Sequence, residues 1–380
     1  MRSTVRQLEA RLHQASSAVE CLAALLELAH LHATEYRHRE GLRAAREALN
    51  IARARQDAVA AARALTVAST CHYHRGDYLS AVASGLDAVE SCDDAAARSS
   101  AQQAMALALH AVQAHEAAVR MAGRALADAR ACADTSCEAG ARAVLGSIAL
   151  GRGAFKAARR DLRIAASRYR LADDGVRQKK AIAQIGDSYR EQGNREHAAQ
   201  RQPQAHFSWH RALRVYDVAM ATGKSAGDDA LVLARRAECH CGLGDLAQAG
   251  ADAACAVDIA HEVGSPIVLA PCLLWQGHVL RGMGEVEAAE RACERAREAA
   301  ARLEHSDLLV SCLHALATLA DQRGRFERAQ DFEKAAHQLS LERSAALARA
   351  REQLAELSEK HAHAKAAGQR RTPGLLNSHA

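Results

Sequence analysis

Residues 244–256 read GDLAQAGADAACA, residues 284–296 read GEVEAAERACERA, and residues 324–336 read GRFERAQDFEKAA. The three stretches begin 40 residues apart, each with a glycine, and each has alanine five and twelve residues after that glycine. A fixed period of this length predicts a helical solenoid, in which every repeat is a pair of packed helices. The expected fold class is therefore all-α.

The same spacing extends through most of the chain and predicts about eight units over residues 17–340. The marker positions, where the chain is expected to turn between two helices, are Tyr36, Gly76, Gln113, Gly153, Gly193, Gly244, Gly284 and Gly324. Glycine suits such a turn because it adopts left-handed backbone without steric cost. A small residue lies seven positions before each marker and lets the second helix approach closely.

The unit marked by Gly193 is irregular. Its second alanine, Ala212, comes seven residues later than in the other units. The polar segment 196–206 is therefore interpreted as an insertion, which forms either a protruding loop or an extra helical turn.

The turn sequences, RGDYLSA at 75–81 and RGRFERA at 323–329, resemble those of the tetratricopeptide repeat (TPR) family. The resemblance implies a right-handed superhelical solenoid of helix-turn-helix repeats, with a partner peptide or protein in its concave groove. The chain departs from the family in its unit of 40 residues, against the usual 34. The departure implies longer helices.

The two ends of the chain lie outside the repeats. Residues 1–16 form a polar N-terminal segment, residues 341–368 a charged helix, and residues 369–380 a tail expected to be disordered. The charged helix has a short heptad seam, which suits either a cap on the last unit or a coiled-coil homodimer. The seam positions are Leu347, Ala350, Leu354, Leu357 and His361.

A short motif in the tail, formed by Gly374, Leu375 and Asn377, resembles the opening of bacterial diguanylate cyclase (GGDEF) domains. The resemblance implies an alternative function. The chain would then be the sensory or dimerisation input module of such a protein, or a truncated remnant of one.

Composition limits the classes of partner and compartment. The net charge of +5, with a pI near 8.7, does not by itself indicate nucleic-acid binding. No run approaches the roughly 20 apolar residues that a membrane helix needs, and residues 1–16 lack an apolar signal segment. Eleven scattered cysteines fit buried small apolar positions, so a cytoplasmic protein is expected.

Two groups of residues have the composition of a metal site but not its spacing. His206 and His210 are four residues apart on a predicted helix, yet no third ligand stands at a fitting distance. Cys239, His240 and Cys241 are consecutive, so their side chains point to different faces of a helix. No metal, cofactor or catalytic residue is expected, and the chain is interpreted as non-enzymatic.

The TPR resemblance implies which residues line the concave groove, namely first-helix positions ten, six and three residues before each turn. In units five to seven this register gives Asp187, Arg190, Glu238, His278 and Arg281, with Lys180 nearby. The leading hypothesis is an interaction scaffold in bacterial signalling or regulation that holds a partner peptide or protein against this wall.

Overall fold

The computed structural model describes residues 2–303 and 306–369, with side chains described for residues 4–303 and 307–353; all regular structure in these ranges is helical. The helices are α1 (Arg2–Gln14), α2 (Ala18–Thr34), α3 (His38–Ala54), α4 (Ala58–His74), α5 (Tyr78–Glu90), α6 (Ala95–Ala111), α7 (His115–Ala131), α8 (Thr135–Gly151), α9 (Phe155–Leu171), α10 (Gly175–Ala198), α11 (Gln202–Met220), α12 (Ala226–Leu243), α13 (Leu246–Val263), α14 (Pro266–Gly282), α15 (Val286–Arg302), α16 (Ser306–Gln322) and α17 (Phe326–Gln369). Helices α2 to α17 pair into eight consecutive hairpins, which confirms the predicted solenoid.

The turns of seven hairpins fall at the predicted markers, where the backbone is left-handed. The glycines at these markers, such as Gly244 with φ 81° and Gly284 with φ 84°, adopt this conformation without strain. Tyr36 and Gln113 occupy the equivalent turns at φ 61° and 63°, although a side chain disfavours that region by roughly 1–2 kcal/mol. These two residues are therefore held in place by their surroundings.

Several first helices begin after an aspartate at the N-cap position. Asp57, Asp94 and Asp174 each precede a first helix of a hairpin, and each carboxylate accepts a hydrogen bond from a backbone N–H three residues on, at 2.8–2.9 Å. Such caps satisfy one of the N–H groups that a helix start leaves without an intrahelical partner.

The alanine twelve residues after each turn is completely buried in every unit. The positions are Ala48, Ala88, Ala125, Ala165, Ala212, Ala256, Ala296 and Ala336. Small side chains at these positions allow two helices of one hairpin to pack closely. This explains how a chain with only 3% aromatic residues buries an apolar core in every unit.

The placement of the turn in unit five was wrong. Gly193 lies inside α10, and the chain turns at Gln200, whose φ is 57°. Counted from Gln200, the fifth and twelfth residues are Ala205 and Ala212, both fully buried, so the alanine register is regular. The inserted residues therefore extend α10 to 24 residues, about two turns more than the 17 residues of α8, and α11 to 19 residues, instead of forming a loop.

Gly193 is explained by close helix packing and not by a turn. A Cβ at this position would lie 2.7 Å from the Trp209 ring and 3.2 Å from the carbonyl oxygen of Ala205. The glycine thus occupies the small-residue position seven before the turn, where the indole of α11 presses against α10.

The solenoid closes on itself through Tyr36, in the turn of unit one. Its hydroxyl donates a hydrogen bond to Asp228 at 2.6 Å, and its carbonyl oxygen accepts one from the Ser265 hydroxyl at 3.1 Å. The ring lies against Gly227, where a Cβ would be 3.1 Å from two ring carbons. We call these contacts of Tyr36 the latch, because they join unit one to units six and seven.

Helix α17 makes a second contact between distant units. It continues without a break through residue 340 and packs against α5 of unit two. Leu347 and Ala350 are buried there in a cluster with Ala81 and Val82, and Arg343 forms an ion pair with Asp307. The first two seam positions are therefore used inside the chain. The seam positions Leu354, Leu357 and His361, and the motif at Gly374, Leu375 and Asn377, lie outside the residues whose side chains are described.

Candidate functional site

An ion pair joins two of the predicted groove residues, on the neighbouring first helices of units five and six. Arg190 on α10 donates to Glu238 on α12 at 2.5 Å, and the amide nitrogen of Asn194 donates to the other oxygen of Glu238 at 2.7 Å. Asn194 in turn accepts from the indole N–H of Trp209 at 3.0 Å. Burial raises the pKa of Glu238, and the Arg190 charge opposes that rise.

Asp187 extends this network away from the turn. Its carboxylate accepts from the buried Tyr216 hydroxyl at 2.7 Å and lies 3.3 Å from the Arg235 guanidinium. Burial raises the pKa of Tyr216, and the Asp187 charge raises it further. The predicted wall residues Asp187, Arg190 and Glu238 do lie together, but they satisfy one another. A removed partner would leave a buried charge uncompensated, at a cost of about 3–5 kcal/mol.

Lys180 lies at the latch, apart from this network. Its ammonium is 3.8 Å from an Asp228 carboxylate oxygen and 5.2 Å from the centre of the Tyr36 ring. The adjacent Lys179 is almost fully buried and forms an ion pair with Asp229. The N-terminal parts of α10 and α12 are thus joined by two lysine–aspartate pairs. Lys180 also contacts the Tyr36 ring, so it belongs to the contacts of the latch.

His278 and Arg281 form a separate patch on α14, together with Trp275. The imidazole of His278 lies 5.0 Å from the nearest indole ring centre of Trp275. Burial lowers the pKa of His278 to about 4, and the nearby Arg281 charge contributes in the same direction. Arg281 is half-buried, and none of the ion pairs among the described side chains includes it. It is therefore a cation without a carboxylate partner there.

The residues around the latch include two histidines that the sequence pattern did not predict to lie together. His38 and His74 stack at 4.7 Å with nearly parallel rings, and neither ring nitrogen of His38 has a hydrogen-bond partner among the described residues. Burial lowers the pKa of His38 to about 4 and that of His74 to about 3, with Lys180 acting in the same direction on both. The one available signal was a tyrosine at a turn position where most units have glycine.

Neither of the two groups considered as metal ligands, the histidine pair or the Cys-His-Cys segment, forms a metal site among the described residues. His206 and His210 are both exposed on α11. Cys239 is buried, while His240 points toward Asp245 and Asp252 at 3.7 and 3.9 Å. Within residues 4–303 and 307–353 no group of three or more His, Cys, Asp or Glu could hold a metal ion. No helix in the described part of the chain is both long and apolar enough to cross a membrane.

Comparison with known proteins supports this architecture. Residues 269–342 match the tetratricopeptide repeat family. The chain matches no curated protein at a significant level.

Three solved structures have a similar fold. One is a Rap protein complexed with Competence and Sporulation Factor, with 14% identity, a TM-score of 0.53, and coverage of 90% of this chain and 99% of that one. A second is the Rap conjugation gene regulator of plasmid pLS20 in complex with the Phr* peptide, with 10% identity, a TM-score of 0.57, and coverage of 87% and 97%.

The third is a signal-transduction ATPase with a tetratricopeptide repeat sensor from Pyrococcus horikoshii, with 13% identity, a TM-score of 0.54, and coverage of 88% and 51%. At these identities the likeness concerns the fold alone. None of the comparisons supports the resemblance to diguanylate cyclase proteins. The chain therefore has the fold of a tetratricopeptide-type helical solenoid, and its residues 269–342 match that repeat family.

Proposed function

We propose that the chain is a non-enzymatic regulatory scaffold that holds an extended peptide segment of a partner in its concave groove. The observation that carries the proposal is the patch of Trp275, His278 and Arg281 on α14. Other charges of the wall are paired within the chain, whereas Arg281 has no carboxylate partner among the described side chains. The Arg281 charge lies close enough to His278 to lower the pKa of that imidazole, and the Trp275 indole lies 5.0 Å from the imidazole.

This combination suits a peptide that carries a carboxylate next to an apolar side chain. A half-buried guanidinium offers charge-assisted hydrogen bonds to the carboxylate, and the aromatic rings offer apolar contact area. Asp187 and Glu238 do not oppose such a ligand at this patch, because their charges are compensated by Arg190 and Arg235. The ligand class is therefore a peptide with an acidic residue or a free C-terminus.

The solved structures of similar fold are consistent with the proposal. Two of them are Rap proteins in complex with Competence and Sporulation Factor and with the Phr* peptide. A role in bacterial regulation is part of the same proposal.

The test begins with selection of ligands from a library of random linear peptides displayed on phage. Selected peptides are then measured by fluorescence anisotropy against the wild type, Arg281→Glu and the control Arg291→Glu. The control makes the same charge change on an exposed position of α15. We expect at least tenfold weaker binding for Arg281→Glu and less than twofold change for the control. Equal affinities for all three proteins, or no selected peptide, would refute the proposed groove.

A further inference from the structure

Three arginines of units four and five converge on the side chain of Tyr189. The guanidinium carbon of Arg159 lies 4.3 Å from the centre of the Tyr189 ring, and that of Arg211 lies 5.8 Å from it. Arg163 and Arg211 also donate to the Tyr189 hydroxyl, at 3.3 and 3.5 Å. We call Arg159, Arg163 and Arg211 the arginine cluster. It brings together charges from α9 and α11, the second helices of two neighbouring hairpins.

No carboxylate pairs with the cluster within the described side chains. Other arginines of α9 do have such partners, since Arg160 lies 3.2 Å from Asp161 and Arg168 lies 3.5 Å from Glu138. The contrast on one helix means that the cluster is not simply an average basic surface.

The polar contacts of Arg159 are all with neutral groups. It donates to the Ser188 hydroxyl at 3.4 Å and to the Gln192 side-chain oxygen at 3.1 Å. The facing acid is Glu196, whose oxygens accept from Gln192 at 2.9 Å and from Ser208 at 2.7 Å. Aromatic contacts, including Arg211 over Phe207 at 4.7 Å, hold the guanidinium planes but supply no counter-charge.

The arrangement is electrostatically unfavourable without an anion. Arg159 is only 9% exposed. Burial lowers the pKa of Arg159, the positive charges of Arg163 and Arg211 lower it further, and Tyr189 and Glu196 oppose the fall. Like charges this close repel one another, and water screens the buried one least. A bound anion would relieve both effects.

The shape of the cluster indicates which anion. Buried Arg159 forms the base, while Arg163 and Arg211 are exposed on two different helices and converge on the same tyrosine. Guanidinium groups present donors in a fork that matches the oxygens of phosphate. All three donors surround a single ring, which fits one compact oxyanion better than an extended polyanion. We propose that the arginine cluster binds a phosphate-class oxyanion, as free inorganic phosphate or as a phosphoryl group on a partner. This site is independent of the concave groove.

The test measures the affinity for inorganic phosphate by isothermal titration calorimetry. Ionic strength is held constant by replacing chloride with phosphate. Arg163→Gln/Arg211→Gln should bind phosphate at least tenfold more weakly than the wild type. The control Arg160→Gln removes a neighbouring charge that is already paired, and it should change affinity less than twofold. Glu196→Gln removes the facing negative charge, and it should strengthen binding about threefold or more.

Two further measurements keep the proposal falsifiable. A phosphoserine hexapeptide compared with its serine counterpart distinguishes a phosphoryl group on a partner from free phosphate. In phosphate-free buffer, Arg163→Gln should raise the melting temperature, because it removes repulsion within the cluster. Wild-type protein that binds neither phosphate nor the phosphopeptide would overturn the proposal. Equal affinity of the wild type and the double variant would also overturn it, and so would binding only to single-stranded DNA.

Discussion

The substitution Tyr36→Phe tests the closure of the solenoid. It removes a single hydroxyl, which donates to Asp228 at 2.6 Å, and keeps the ring against Gly227. A hydrogen bond to a charged group contributes about 1.5–3 kcal/mol to a folded arrangement. Asp228 keeps the Ser225 hydroxyl as a hydrogen-bond donor and Lys180 as a nearby cation, so its charge stays compensated after the substitution. The closure equilibrium should shift roughly tenfold to 150-fold toward the open form.

Hydrogen exchange detects this shift even when the open form is a minor population. The exchange rate of an amide protected only in the closed form follows the population of the open form. We expect faster exchange in the first turns of α3 and α12, and a larger radius of gyration in small-angle scattering where the open form becomes the major population. The control Tyr78→Phe loses a hydroxyl that makes no hydrogen bond with the described side chains or backbone, and it should leave both measurements unchanged.

A double-mutant cycle with Asp228→Asn assigns the effect to the latch itself. If the hydroxyl and the carboxylate act through each other, the two substitutions together should cost less than the sum of their separate costs. Exchange rates and a radius of gyration identical to those of the wild type would refute the latch. A strictly additive cycle would show that the opening arises elsewhere.

Three further substitutions test pH dependence and packing. The pKa of His38 is about 4 in the folded protein and 6.5 for an unperturbed histidine, so unfolding takes up a proton between these values and stability falls as pH drops from 6.5 toward 4. His38→Phe should therefore lose less melting temperature between pH 7.5 and 5 than the wild type, and an equal loss would contradict this. Gly277→Leu should cost about 1–3 kcal/mol in denaturant unfolding, since a Cβ would already lie 2.4 Å from the Cys293 sulfur; an unchanged midpoint would refute the packing. Gln200→Gly should stabilise by up to about 1 kcal/mol by relieving left-handed backbone, and a lower midpoint would argue against the turn at this residue.

The repeats could be predicted from the sequence because their causes are local. A turn and the alanines five and twelve residues after it lie within one hairpin. The same local packing therefore selects the same residue types at the same spacing in each unit. The turn of unit five was misplaced because a glycine such as Gly193 fits two different local structures. Glycine suits a left-handed turn and also a close helix contact, and only the position of Trp209 decides between them.

The long-range contacts could not be predicted in the same way. Tyr36 and Asp228 are 192 residues apart, and no periodic pattern links them. The groove register placed Arg190 and Glu238 on one wall, but not the direct ion pair that neutralises both. Whether a wall charge is free or paired depends on the neighbouring helix. This is why Arg281 became distinctive only in the structure.

Helix α14 connects the latch to the proposed ligand patch. Ser265, at its N-terminus, holds the Tyr36 carbonyl, and Arg281 lies 16 residues further, about 24 Å along the helix axis. If a groove peptide binds the open and closed forms with different affinities, it shifts the latch equilibrium by the ratio of those affinities, and Tyr36→Phe changes its apparent affinity to the extent that it transfers population between the two forms. Anisotropy with the selected peptide and exchange with and without it measure both sides of this relation. Altered affinity without altered exchange would show that α14 does not couple the two sites.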